Sequence, residues 1–444
     1  ALPDYMVPAR YRVCEALPTT VGGKLDRRAL PEIEGPTSGA DRDVVLPRDV
    51  PERHLARAFA EALEIDGGVS VHDDFFVDLG GDSLSYVECS IRLERVLGSV
   101  PADWHLLPIS TLAASASTKP APARFARVDT TVVLRAVGIC LVVATHMRLR
   151  HVPGGAHLML GVVGYNVARF LTPIDDPVDR IRSGARTIGR VAIPTMIWVA
   201  LGAVLLGSYS LGTFFLINNY VGPRSHAGDH WHFWFIEVFV QLIVATLMLL
   251  SIPAVRRLER RFQYGFALGL LAAAYVLQLD WADMGDWYNM RYRTHAVAIF
   301  FVLGWLVHRS STVPQRIATT LLCGAVVSGF FRNDTREAMI AGGLILLLWL
   351  PTVPFPRLGV PVLGALAAAT MWIYITHFTF WPLLDDSLDL RRDVAYVLTI
   401  AIGVAIWAIA ERVEPLVVAR AHVVVAHARR VRGPRPPHRA AITA

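Results

Sequence analysis

The sequence predicts a mainly α-helical protein in which a small helical module precedes a polytopic membrane domain of about ten spans. The chain of 444 residues is 54% hydrophobic and has a mean hydropathy of +0.43; soluble domains are about 45–50% apolar. Its long apolar runs lie within residues 128–412, whereas residues 1–127 have an ordinary polar composition. Because about 20 apolar residues suffice for one span, this pattern excludes a single soluble globule, a disordered chain and a lone membrane anchor.

Net charge and cysteine spacing indicate which partners, metal sites and disulfides are to be expected. The net charge is +6, and Lys24 and Lys119 are the only lysines among 43 basic residues. The arginines flank the apolar runs, so we expect a lipid membrane as a partner and no nucleic acid. The four cysteines are Cys14, Cys89, Cys140 and Cys323. Their wide spacing predicts neither a metal site nor a disulfide framework.

Residues 1–34 contain short strand-like runs punctuated by prolines and by a glycine pair, and they are too few for a core. Their string LPTTVGGKLDRRAL resembles the last conserved motif of adenylation domains from nonribosomal peptide synthetases and acyl-CoA ligases. The resemblance implies the end of an adenylation C-terminal subdomain, α+β in structure, in which Lys24 contacts the reacting acyl-adenylate. The rest of such a domain is not found in the sequence. We therefore expect no adenylation by this chain alone, and an adenylation domain as partner in a longer parent chain or in trans.

Residues 50–117 form the next predicted unit. Apolar side chains at helical spacing predict a helix over residues 51–65. Gly80-Gly81 then breaks the chain, and Asp82-Ser83 opens a second helix, where a serine is most often a simple N-cap. The expected apolar face of this second helix consists of Leu84, Val87, Ile91 and Val96.

The string DDFFVDLGGDSL in this unit resembles the phosphopantetheine-attachment motif of peptidyl and acyl carrier proteins. The resemblance implies a helical-bundle carrier domain whose 4′-phosphopantetheine is attached covalently to Ser83, next to Asp82, by a phosphopantetheinyl transferase. The two glycines let that enzyme approach the backbone closely, and a helix N-terminus favours the negative phosphodiester. The arm then carries an acyl or aminoacyl group as a thioester.

Residues 118–127 are rich in alanine, proline and arginine and are predicted to be a semi-extended linker. The membrane domain, residues 128–412, contains ten apolar stretches that we predict as spans. They are 129–149, 155–173, 187–207, 231–252, 264–280, 294–310, 315–331, 337–351, 361–384 and 394–412. The distribution of arginine between alternate loops places both chain ends inside. We therefore expect an integral protein of the bacterial cytoplasmic membrane, with the carrier and the basic tail, residues 413–444, in the cytosol.

Ionisable residues within spans are expensive to bury and are functional candidates for that reason. Arg135 and His146 lie eleven residues apart in the first span. Eleven residues correspond to a rise of about 16 Å and to just over three full turns, so both side chains point the same way from different depths. An arginine snorkelling to one surface and a histidine at the other would be the purely structural explanation.

An arginine, ten residues and a histidine in the first span resemble the signature of the acyltransferase-3 family, which includes bacterial membrane O-acetyltransferases of surface polysaccharides. Looser resemblances lie in HFWFIEVFVQLIVATLML, THAVAIFFVLGWLVHR and MWIYITHFTFWPLL, the last of which contains Tyr374 and His377. The family's serine-glycine pair in the second span is replaced by Ala168 and Arg169. Its acidic pair in the fourth span is missing, and Glu237 is the acidic residue found there.

The resemblance implies acyl transfer to a hydroxyl or amine, with a lipid, a glycan or a small metabolite as acceptor. His146 is the expected base, or it relays the acyl group covalently. Arg135 is expected to hold the phosphate of the arm, and Tyr374 or His377 to donate a hydrogen bond to the developing oxyanion. Glu237 completes the candidate catalytic residues.

The tether favours the carrier as donor, because it raises the effective concentration of the thioester at the membrane domain. Two alternatives remain open at this point. The membrane domain is an acyl-CoA-dependent O-acyltransferase while the carrier serves another enzyme, or it is a transporter or flippase for the carrier's product.

Overall fold

A computed structural model describes residues 44–431, except 64, 66–67, 76–77, 82–84, 98–99, 102–103, 117–123, 150–152, 223–228 and 283–291. The described part is mainly helical, as predicted, with a small carrier domain at its beginning. The helices of the carrier are α1 (Val50–Leu63), α2 (Ser85–Leu97) and α3 (Ile109–Ala116).

Aromatic side chains fill the core of the carrier. The Trp104 ring stacks on Tyr86 with centroids 5.0 Å apart and meets Phe75 edge-on at 4.8 Å. Its indole N–H donates to the hydroxyl of Ser90 at 3.1 Å. The polar edge of the tryptophan is thereby satisfied while its rings are buried.

The structure tests the apolar face predicted for α2 only at Val96. The buried side chains described in this helix are those of Ser85, Tyr86, Cys89, Leu93 and Leu97. Val96 is only half-buried, and the other predicted side chains, Leu84, Val87 and Ile91, lie outside what the structure describes. The large Tyr86 ring takes the core position because it stacks on Trp104.

A two-stranded antiparallel ribbon includes the residues that follow the carrier in the sequence. Strand β1 (Phe125–Asp129) pairs along its full length with β2 (Thr352–Pro356). In the linker predicted over residues 118–127, residues 125–127 form part of this strand, and residues 118–123 lie outside the described part. The pairing partner is more than 200 residues away in the sequence, so a local pattern does not reveal it.

Helices occur at each of the ten stretches that were predicted as spans. In chain order the helices after the ribbon's first strand are α4 (Thr130–His146), α5 (Gly155–Asn166), α6 (Pro177–Leu206), α7 (Leu211–Phe214), α8 (Asn218–Val221), α9 (Trp234–Ser251), α10 (Pro253–Arg261), α11 (Gln263–Ala282), α12 (Thr294–Arg309), α13 (Val313–Val327), α14 (Asp334–Trp349), α15 (Val360–Ala368), α16 (Thr370–Pro382) and α17 (Arg392–Val431). A π-helical turn follows α5 at Val167–Leu171.

Three of the predicted stretches differ clearly from the observed helices. Helix α6 begins early because the side chain of Asp176 caps it and Pro177 occupies its first turn. The stretch predicted as one span over 361–384 is two helices that meet at 70°. Helix α17 continues to Val431, well into the predicted tail of residues 413–444.

By length and composition, three helices in the described residues can cross a membrane: Pro177–Leu205, Trp234–Ser251 and Arg392–Val413. Five spans result if each bent pair, α10 with α11 and α15 with α16, counts as one. Other helices are shorter than the roughly 20 residues of a straight span; α4, for example, has 17 residues. The count of about ten spans stays a prediction.

Helices α5 and α12 cross so closely that glycine is required on both. A Cβ on Gly164 would lie 1.8 Å from the carbonyl oxygen of Phe301, and a Cβ on Gly304 would lie 1.7 Å from that of Gly161. Small residues permit such backbone contact where helices cross in membranes. The crossing fixes α5, whose end leads into the π-helical turn.

Replacement of Gly304 by alanine is expected to destabilise the folded chain by about 1–3 kcal/mol, because the two backbones must separate. The midpoint of thermal unfolding in detergent measures the effect. The control is Gly269→Ala, since that exposed helical glycine has no neighbour within 4 Å of a new Cβ. An unchanged midpoint for Gly304→Ala contradicts the close crossing.

Candidate functional site

His146 and His377 meet at the end of α4 that is remote from the carrier. The Nδ1 atom of His146 lies 2.9 Å from Nε2 of His377, and the two rings stack with centroids 5.1 Å apart. His377 is fully buried in α16, whereas His146 is half-buried. The structure therefore brings together two residues that the sequence predicted as catalytic, although they are 231 positions apart.

The hydrogen bonds of His377 define the tautomers of both rings. Its Nδ1 lies 2.6 Å from the backbone carbonyl oxygen of Tyr374. Because a carbonyl oxygen only accepts, Nδ1 carries the proton and Nε2 of neutral His377 is an acceptor. His146 therefore donates from Nδ1, and its Nε2 keeps the lone pair. This arrangement suits a general base that a second ring orients.

A third histidine joins the pair through Phe378. The Phe378 ring stacks on His232 at a centroid distance of 3.7 Å and lies 4.6 Å from His146. The Tyr374 hydroxyl donates to the backbone carbonyl of His232 at 2.9 Å. Since this hydroxyl and both nitrogens of His377 are engaged within the protein, the structure does not offer them to an oxyanion as expected. Phe378, next to His377, contacts the rings of His146 and His232 but is not among the site residues that the sequence predicts.

Two cavities meet at Tyr374. The far cavity has a volume of about 570 Å³ and is lined by His146 and His232. Its other polar and aromatic lining residues include His157, Asp229, Trp231, Tyr292 and Arg336. The carrier-side cavity has a volume of about 110 Å³, is mostly apolar and is lined by Arg135 and Asn166. Tyr374 lines both, so its side chain stands between them.

Two buried polar side chains of the carrier-side cavity, Arg135 and Asn166, can serve a ligand. The Arg135 guanidinium donates to the carbonyl oxygen of Ala367 at 2.9 Å. The Asn166 Oδ1 atom has no hydrogen-bond partner among the described residues. A buried acceptor left alone costs about 1–3 kcal/mol, so Asn166 suits a ligand with N–H groups, such as the amides of a pantetheine arm. No sequence signal distinguished Asn166.

Glu237 lies in a different polar group. Its buried carboxylate accepts the backbone N–H of Asn219 at 2.7 Å, and the Asn219 amide contacts Gln241 and Thr294. His295 Nδ1 lies 3.2 Å from the Tyr220 hydroxyl. The structure thus does not place Glu237 with the histidine pair.

The carrier contacts the helices that follow it in the chain through Tyr86, Asp129 and Arg169. Arg169 forms an ion pair with Asp129 at 2.6 Å and donates to the Tyr86 hydroxyl at 3.0 Å. Asp129 also caps α4 by accepting the backbone N–H of Thr131 at 2.8 Å. The Phe170 ring lies 5.0 Å from Tyr86 and belongs to the carrier's apolar core. The helix with Arg135 and His146 therefore begins at the carrier contact.

A second contact involves Arg186 in α6 and Gly80. The guanidinium donates to the Gly80 carbonyl oxygen at 2.9 Å. Gly80 has a φ of +71°, a backbone conformation that favours glycine. The predicted residues Asp82 and Ser83 lie between Gly80 and Tyr86 in the sequence but outside the described residues, as does Lys24.

His105 makes the carrier contact sensitive to pH. It is buried edge-on against Tyr86 and Phe170, at centroid distances of 5.4 Å and 5.5 Å. Burial, assisted by the charge of Arg169 and opposed by that of Asp129, lowers the pKa of His105 to about 3. In the unfolded chain a histidine titrates near pH 6.5, so between these values the unfolded state binds the additional proton and stability rises with pH.

Lowering the pH from 7 to 5 is therefore expected to reduce the free energy of unfolding of the carrier by about 2 kcal/mol. Hydrogen exchange of α2 and α3 in the full chain, corrected for intrinsic rates, measures this change. The variant His105→Gln should remove most of the pH dependence. An equal dependence in both proteins contradicts the assignment to His105.

Comparison with known proteins assigns the first domain. The family described as "Phosphopantetheine attachment site" matches residues 53–114. A linear gramicidin synthase of Brevibacillus parabrevis is 40% identical over 97 residues, which are 22% of this chain and 1% of that protein. The dimodular nonribosomal peptide synthase of Bacillus subtilis (strain 168) is 42% identical over 99 residues, 22% of this chain and 4% of the synthase.

Malpibaldin synthetase of Mortierella alpina is 41% identical over 139 residues, 30% of this chain and 2% of the synthetase. The chain thus spans only a few per cent of the length of these relatives. No solved structure matches it significantly. Carrier domains of this type work with a phosphopantetheinyl transferase and with adenylation and other synthetase domains. Residues 53–114 are therefore a carrier domain of the nonribosomal peptide synthetase type, whose cofactor is covalently attached 4′-phosphopantetheine.

Proposed function

We propose that this chain transfers an acyl or aminoacyl group from a phosphopantetheine thioester on Ser83 to a hydroxyl or amine, within a membrane domain of the acyltransferase-3 type. The observation that carries the proposal is the oriented pair of His146 and His377. His146 lines a large cavity that adjoins, across Tyr374, the cavity beside the carrier. The carrier-side cavity, for the donor, and the far cavity, for the acceptor, thus adjoin near one base, His146.

The carrier-side cavity supplies the features that a pantetheine arm requires. When attached, 4′-phosphopantetheine supplies a flexible chain whose terminal thiol holds the acyl group as a thioester. The apolar lining excludes water, Asn166 Oδ1 accepts an amide N–H, and the permanent charge of Arg135 provides further donors. Tyr374 marks the inner end of this passage.

His146 performs the proton transfers. Its Nε2 takes the proton of the acceptor as the acceptor's oxygen or nitrogen bonds to the acyl carbon. The resulting imidazolium keeps its Nδ1–H bonded to His377 Nε2, and the Tyr374 carbonyl holds His377 in the tautomer that can accept. His146 then gives the proton to the departing sulfur as the carbon–sulfur bond breaks.

The far cavity is the proposed acceptor site. Its volume of about 570 Å³ and its mixed lining of Asp229, Arg336, Trp231 and Tyr292 suit a polar acceptor such as a glycan, a lipid headgroup or a small metabolite. It lies at the opposite end of α4 from the carrier contact. With the carrier in the cytosol, the acceptor enters from the other side of the membrane.

The terminal segments fit the same role. Residues 1–34, with Lys24, are proposed to be the end of an adenylation domain that activates the acid in a longer parent chain or in trans. The basic tail, residues 413–444, is proposed to lie in the cytosol beside the carrier.

The test uses the full chain in lipid vesicles. A phosphopantetheinyl transferase loads Ser83 from radiolabelled acetyl-CoA or alanyl-CoA, and bacterial lipids, glycan fragments and soluble metabolites are supplied as separate acceptor pools. The proposal predicts that the label leaves Ser83 and becomes covalently bound in one pool. Label that stays on Ser83, or leaves only as the free acid, contradicts it.

A further inference from the structure

We infer that Arg169 and Arg186 form a docking site that holds the carrier in its donating position. We also infer that Arg186, instead of Arg135 as the sequence predicts, binds the phosphodiester of the arm. This inference rests on the proposed function, since donation is what the docking serves. It concerns residues that acyl transfer itself does not use.

Arg169 contacts strand β1 through Asp129 and the carrier through Tyr86. Its side chain is 12% exposed and that of its partner Asp129 is 13% exposed, so the pair is largely withdrawn from water. The guanidinium also lies over the ring of Tyr86 at 4.9 Å and donates to its hydroxyl. Loss of Arg169 removes this partner of the Asp129 carboxylate and of the Tyr86 hydroxyl, so the contact with the carrier weakens.

The position of Arg169 explains its departure from the acyltransferase-3 pattern. The π-helical turn Val167–Leu171 places Arg169 and Phe170 in succession, and both contact Tyr86 of the carrier. A membrane domain that receives a tethered carrier needs a surface for that carrier at the mouth of the donor passage. Phe170 meets this need directly, because it lines the carrier-side cavity and also joins the carrier's core.

Arg186 stands where the phosphodiester is expected. Gly80 and Tyr86 each lie three residues from Ser83 and both are bonded to the membrane domain. Three residues span at most about 11 Å, so an arm attached to Ser83 is proposed to begin within reach of Arg186. Arginine pairs with a phosphate through two parallel N–H bonds. Ser183 and Thr187, neighbours of Arg186 on α6, line the carrier-side cavity, so Arg186 lies next to this cavity along the helix.

The first experiment compares two donors in the full chain. One is the acyl group loaded on Ser83, and the other is an acyl N-acetylcysteamine thioester, which has neither carrier nor phosphate. Arg169→Ala and Arg186→Ala are expected to slow discharge of Ser83 at least tenfold, while transfer from the small donor changes less than twofold. Arg182→Ala is the matched control, because that α6 side chain is 62% exposed and pairs with Asp179.

Two outcomes overturn the inference. Discharge of Ser83 at an unaltered rate in Arg169→Ala shows that docking does not depend on this contact. An equal loss with both donors shows a general structural defect instead of a docking role. If the unaltered chain transfers the acyl group from neither donor, the proposed function is wrong. The docking site is then tested by distance measurement alone.

That second experiment requires no activity. Spin labels on unnatural residues replace Arg57 in the carrier and Leu358 beyond β2, whose side chains are 78% and 96% exposed. The unaltered chain and Arg182→Ala should each give one narrow distance distribution, and Arg169→Ala a broad one. Attachment of phosphopantetheine should narrow the distribution further, and Arg186→Ala should abolish that change. A broad distribution in the unaltered chain, or no effect of Arg169→Ala, overturns the docking site.

Discussion

Replacement of Ser83 by alanine is expected to abolish transfer from the carrier, because the hydroxyl that binds 4′-phosphopantetheine is removed. Intact-protein mass should show no added arm, and labelled acceptor should fall to background. The control is Ser110→Ala in α3, a half-buried serine of the same domain, which should keep both the arm and the activity. Complete loss of transfer is expected because the arm is attached covalently to Ser83, and noncovalent binding of an arm cannot replace this bond.

The same variant separates the proposed donor from acyl-CoA. If Ser83→Ala retains full transfer when acyl-CoA is supplied, the membrane domain takes its donor from solution and the carrier serves another enzyme. Complete loss with either donor source supports transfer through the carrier.

Replacement of His146 by alanine is expected to lower transfer from the small thioester donor by about 10²–10⁴-fold, the usual contribution of a positioned general base. The small donor bypasses the carrier, so the effect reports the chemistry and not docking. The rate of product formation in vesicles measures it. Arm attachment on Ser83 should be unaltered, because the carrier lies at the opposite end of α4.

His295→Ala is the matched histidine control. His295 is half-buried in α12, and it contacts the Tyr220 hydroxyl rather than the pair. Its loss should change the rate less than twofold. If His146→Ala transfers the acyl group at the unaltered rate but blocks passage of the product across the membrane, the domain is a transporter and the assigned base is wrong.

The sequence predicted those features that are encoded locally. The periodicity of apolar residues located the helices, and the spacing of Arg135 and His146 was readable because both lie on one helix. The motif around Ser83 identified the carrier and its cofactor. Helix limits were less accurate, as at α6, where the cap at Asp176 extends the helix beyond its apolar part.

Features that depend on distant partners could not be predicted. The contact of His146 with His377 requires α4 and α16 to pack together, and strand β1 forms only because β2 pairs with it. Arg169 was noticeable as a departure from a family pattern, yet its role becomes evident only when Tyr86 lies against it. Asn166 resembles any other polar residue of a span until the surroundings of its Oδ1 atom are seen.

The most direct test of the account is the intact mass of the carrier in two versions of the chain purified from the native host, unaltered and His146→Ala. The account predicts that both carry phosphopantetheine on Ser83 and that the variant also retains an acyl group which the unaltered protein has discharged. The additional mass then identifies the donor group. An identical load on Ser83 in both versions contradicts the account, because carrier and histidine pair would then not belong to one transfer reaction.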